Sequence, residues 1–157
     1  MRSMRLLAWW LRVVGLVYVA LGVTFVPVLN TGRVDVLVPG FDASRGGPAW
    51  NGFVDFTFMF GLEEIVLGAF LIFASFRPRW WEPLVWLLVA FSLVRGIGHD
   101  VYMIASGYSL ASNLAFVAFH LSLIVTGVLF LRRWQRRSRR TPATPAASVR
   151  STAAAGW

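Results

Sequence analysis

FVDFTFMFGLEEIVLGAFLIFASF, residues 53–76, places two adjacent glutamates, Glu63 and Glu64, in the middle of a long apolar run. About 20 consecutive apolar residues is the length at which a helix crosses the hydrocarbon core of a bilayer. A charge held in hydrocarbon costs several kcal/mol by most estimates, so it turns toward a partner, a cavity or a bound ligand. The stretch therefore predicts a membrane helix and a buried polar site at its centre.

Three more runs have the same character, at residues 6–28, 84–105 and 110–131. Pro27 and Asn30 close the first, Arg77-Pro78-Arg79 closes the second, and Pro83 suits the opening turn of the third. Apolar residues are 57 % of the chain and charged residues only 14 %, too few to cover a soluble domain of this length. The predicted fold is all-α, a four-transmembrane-helix bundle over residues 1–133 with one outer loop at 29–52. A basic tail follows over 134–157, and its Ala-, Ser-, Thr- and Pro-rich part from Thr141 onward is expected to be disordered. Within the outer loop, Val34–Val38 reads as a short strand or as a segment lying on the bundle, and the loop as a cap over the outer mouth.

The chain has no cysteine, which excludes disulfides, thiolate metal sites and cysteine nucleophiles. Its start, Met1-Arg-Ser-Met-Arg5, resembles a signal sequence, but the apolar run is long for a signal core and no small-x-small cleavage site follows. A retained signal-anchor helix is expected. All 15 basic residues are arginine. Most flank the amino end, the connection between spans two and three, and above all the carboxyl end, at Arg132, Arg133, Arg136, Arg137, Arg139 and Arg140, while Arg33 and Arg45 lie in the longer loop between spans one and two. The positive-inside rule then predicts a multi-pass protein of the bacterial inner membrane with both termini cytoplasmic. Trp80, Trp81 and Trp134 fall at the inner interface, and Trp50 and Tyr108 at the outer one. An arginine run directly after an apolar span suits anionic lipid rather than nucleic acid.

Depth decides which ionisable groups can meet. Glu63 lies roughly 15 Å from the outer end of its span, and Arg95 roughly 16 Å from the inner end of the next. Consecutive spans with a short connection are expected to be antiparallel neighbours. Arg95 with Glu63 or Glu64 is the predicted pair, as a buried register-fixing contact or as part of a working site. Arg95, His99 and Tyr102 share one face of an ideal α-helix, with Asp100 about 100° from His99. His120 is near mid-depth in span four. The candidate polar cluster is Glu63, Glu64, Arg95, His99, Asp100, Tyr102 and His120, with Asp55 at the outer mouth.

The acids Asp55, Glu63, Glu64 and Asp100 outnumber the bases Arg95 and Arg12. Protonated carboxyls, cationic histidines or a bound cation would each relieve the surplus. Carboxylate and imidazole groups suit several transition metals. The chain lacks the Glu-x-x-His and His-x-x-x-His pairs of helical metal sites, so no metal, cofactor or catalytic residue is assigned. Gly15 and Gly22 on one face of span one, and Ser92 with Gly96 in span three, read as sites of close helix approach.

Several stretches resemble the BphX-like family of small four-span bacterial membrane proteins. They are Trp10-Leu-Arg-Val-Val-Gly-Leu-Val-Tyr, Phe58-Met-Phe-Gly-Leu-Glu, and Leu93-Val-Arg-Gly-Ile-Gly-His-Asp-Val-Tyr-Met-Ile, together with His120 and Ile124-Val-Thr-Gly. The resemblance covers the chain up to Arg133. It implies an integral membrane protein, sometimes encoded beside genes of aromatic degradation, and implies no reaction.

Three functions fit these residues. The first is a non-enzymatic ligand-binding or accessory subunit, as a homo-oligomer or with a membrane-protein partner. The second is a small transporter of protons or of a hydrophobic solute, working as an oligomer. The third is a membrane-embedded acid–base or metal enzyme.

Overall fold

Apolar runs of this length become helices because a bilayer offers backbone N–H and C=O groups no partner outside the chain. The computed structural model describes residues 2–38 and 40–139. In chain order these form α1 (Arg2–Val23), α2 (Pro27–Asn30), α3 (Val34–Leu37) and α4 (Pro48–Ala74). A composite third span covers Pro78–Ala105. It opens with a 3-10 turn at Pro78–Trp80, continues as α5 (Trp81–Phe91), widens into a π-helix at Ser92–Gly98 and ends as α6 (His99–Ala105). The last helix is α7 (Leu110–Ser138). Four helices are long and apolar enough to span a membrane, and no strand occurs among the described residues.

Prolines set several of the boundaries that differ from the sequence estimate. α1 stops at Val23 rather than 28, because Pro27 cannot donate back to it and forces Val26 into an extended conformation. α4 begins at Pro48 rather than 53, with proline in the first turn where its missing N–H is no loss. The third span begins at Pro78 for the same reason. α7 runs past 131 to Ser138, since arginine is a good helix former and its charge suits a helix carboxyl end. Val34–Leu37 is a single helical turn, not a strand, with Val34 buried against Trp50 and Val54. The tail from Thr141 onward lies outside the described residues.

α1 is the centre of the bundle. It packs tightly on α4 and more loosely on α7, and α7 packs on the third span. The α1–α4 contact is glycine-made: a Cβ on Gly15 would stand 2.6 Å from the Gly68 carbonyl oxygen, and one on Gly22 would strike that of Gly61. α4 and the third span, although consecutive, are not a closely packed pair. They meet through side chains, Phe70 on Trp80 at 5.4 Å near one end and Arg95 further along.

The two ends of the bundle differ. At the arginine-rich end a core including Leu11, Leu71, Trp81, Val85, Leu88 and Leu131 fills the space. The Trp10 indole donates to Thr126 Oγ1 at 2.9 Å, and that of Trp81 to the Ala74 carbonyl at 3.1 Å. Trp81 is thus a buried bolt, not an interfacial anchor, and Trp50 is likewise buried beneath the long loop. At the other end Asn30 Nδ2 donates to Thr57 Oγ1 at 2.6 Å, tying the loop to α4. There the helices leave room.

Candidate functional site

Between mid-depth and the long-loop end lies a cavity of about 410 Å³. Its apolar wall includes Phe25, Phe60, Phe91, Phe116 and Phe119. Its polar lining includes Tyr18, Glu64, Arg95, His99, Asp100 and His120. The sealed core at the opposite end makes this a blind pocket.

Arg95 spans the gap between the third span and α4. Its Nη1 is 3.1 Å from Glu63 Oε2 and 4.0 Å from Glu64 Oε1. The guanidinium lies over the Phe60 ring at 3.9 Å, with Phe91 at 5.6 Å. Successive residues of α4 point about 100° apart, so the two glutamates separate. The Glu63 side chain is 64 % exposed at the outside of the gap, while Glu64 is 8 % exposed and faces the cavity. Glu64 Oε2 has no hydrogen-bond partner among the described residues.

The π-helix explains the rest of the arrangement. Its i→i+5 bonding widens the turn, a distortion that recurs at functional sites. Arg95 and Asp100 are five apart, so the wide turn draws them toward one face that an α-helix would deny them. Asp100 is 7 % exposed and lines the cavity beside His99. Asp100 Oδ1 stands 3.8 Å from His99 Nδ1, too far for a hydrogen bond, and Asp100 Oδ2 has no partner. The shifted phase also turns Tyr102 outward. It is 65 % exposed and absent from the cavity lining, so it stands apart from the polar cluster in which the sequence placed it.

His120 enters the wall because Gly96 faces it: a Cβ there would collide with the imidazole. Its Nδ1 is buried without a partner. Asp55 is exposed near the loop end and does not line the cavity. Arg12, the shallower base, is stacked on Phe76 at 4.4 Å and donates to Ser75 Oγ, far from the site. Sequence reading missed the aromatic wall, Tyr18, and the loop-end groups Arg33, Ser109 and Asn113. Of these only the phenylalanines left a signal, and the wall draws them from α4, α5, α7 and the connection after α1, which no single run reveals. No group of three or more potential metal ligands occurs among the described residues.

A family model described as BphX-like matches residues 2–137. No curated protein and no solved structure matches the chain. The chain belongs to the BphX-like family.

Proposed function

We propose that this BphX-like membrane protein is a non-enzymatic binder of a small amphiphilic molecule, acting as an accessory subunit. The observation that carries the reading is the blind cavity, where apolar walls meet a few convergent polar groups. Its volume is within the range of small-molecule sites. A pocket closed at one end favours holding a ligand over conducting one.

The test uses three aromatic solutes of similar size, 2-phenylethylamine, 2-phenylethanol and phenylacetate, with detergent-purified protein. At roughly ten times its Kd, a bound solute raises Tm by about 3 °C or more. At least one solute should do so, and Ser112→Trp, which adds an indole to the lining, should reduce the shift. Solutes acting only through the micelle would shift both proteins equally and refute the pocket.

The arginine distribution supports an orientation with both termini cytoplasmic in the bacterial inner membrane, the cavity opening outward and the carboxyl-terminal arginines on anionic lipid. Absence of cysteine makes this simple to check. A membrane-impermeant maleimide applied to intact cells should label Ser106→Cys and leave Glu82→Cys untouched. The reverse pattern would invert the topology. Assembly with a second copy or another membrane protein belongs to the same proposal; nucleic acid does not.

A further inference from the structure

The cavity has more buried acid than base. Glu64 and Asp100 line it and Glu63 stands at the exposed edge of the same gap, against Arg95 at mid-depth and Arg33 at the mouth, an excess of one formal negative charge with the histidines neutral. Arg95 is already engaged, 3.1 Å from Glu63 and stacked on Phe60. Arg33 lies at the mouth, away from mid-depth, where it donates to the Thr24 carbonyl at 3.1 Å. Asp100 has only the imidazoles of His99 and His120 beside it. Asp100 and Glu64 are each more than nine-tenths buried, line the cavity, and hold one oxygen without a hydrogen-bond partner.

We propose that the cavity selects an amphiphilic monocation, a protonated amine whose ammonium sits on Asp100 and whose aromatic or short alkyl body lies against the phenylalanine wall. The proposal rests on the pocket reading above and adds the ligand's class. An ammonium brings three N–H donors and no acceptor, the complement of a carboxylate, which only accepts. It offsets charge where solvent cannot. The faces of the surrounding rings attract a cation as well as an apolar body. An anion seated at Asp100 would meet that carboxylate without relief. A neutral alcohol would satisfy one oxygen and leave the charge. Asp100 is the seat rather than Glu64, because Arg95 already stands 4.0 Å from Glu64.

The test compares affinities of the same three solutes, taken from Tm titrations at pH 7.5, in wild type, Asp100→Asn and Glu64→Gln. The amine should bind at least about tenfold more tightly than the alcohol, with phenylacetate weakest. A hydrogen bond to a charged group contributes about 1.5–3 kcal/mol, so Asp100→Asn should weaken the amine about tenfold or more and the alcohol little. Glu64→Gln should have a smaller effect in the same direction, and it carries the test if Asp100→Asn does not fold. Equal binding of alcohol and amine, or preference for phenylacetate, would overturn the cation assignment and leave the pocket intact. An amine affinity untouched by both substitutions would overturn it too. No binding by any solute would overturn both readings.

Discussion

Arg95→Ala is expected to destabilise the bundle by about 3–5 kcal/mol, read as unfolding in mixed micelles. Removing the guanidinium leaves the buried Glu64 carboxylate uncompensated, and stranding a buried charge costs that much. Here two carboxylates depend on the same guanidinium, at 3.1 and 4.0 Å. The substitution also removes the cation from the Phe60 face and takes away the link across the gap between α4 and the third span. Arg95→Lys should fall between Ala and wild type, because an ammonium keeps the charge but lacks the planar group that stacks on the ring. A loss under about 1 kcal/mol for Arg95→Ala would mean that the glutamates find their compensation in solvent.

Gly15→Leu is expected to cost about 1–3 kcal/mol or more by overpacking, and Gly22→Leu a similar amount. The obstacle at both positions is a backbone carbonyl on α4, which no rotamer change can move. The added Cβ of residue 15 would also stand 2.8 Å from Ile72 Cγ1. The double variant should cost less than the sum, since either substitution alone pries the same two helices apart. Gly52→Ala in the second turn of α4 meets nothing within 4 Å and should be neutral or slightly stabilising. Mixed-micelle unfolding of the four variants separates packing from composition. If Gly15→Leu and Gly52→Ala behaved alike, the α1–α4 contact would not be the one described.

Sequence carried the helical bundle because hydrocarbon permits so little else. Run length located all four spans, with five to seven residues of error at four of the eight ends. Counting residues put Glu63 and Arg95 at one depth, and their ion pair lies there. Lateral arrangement was much less legible. Depth arithmetic says nothing about which helices pack, so the gap between α4 and the third span was invisible. The π-helix at Ser92–Gly98 has no signature beyond two closely spaced glycines, and with it went the phase that places Asp100 inside and Tyr102 outside. Trp50 and Trp81 misled for a related reason. Their depth suits an interfacial belt, whereas the direction each ring faces buries it.

The central claim is that ionisable groups from separate membrane helices turn toward one another at mid-depth. A double-mutant cycle on Arg95→Met and Glu63→Gln, with stability read in mixed micelles, tests it most directly. The account predicts a coupling of about 1 kcal/mol or more, within the range for residues in contact. Additive effects, with coupling indistinguishable from zero, would contradict it.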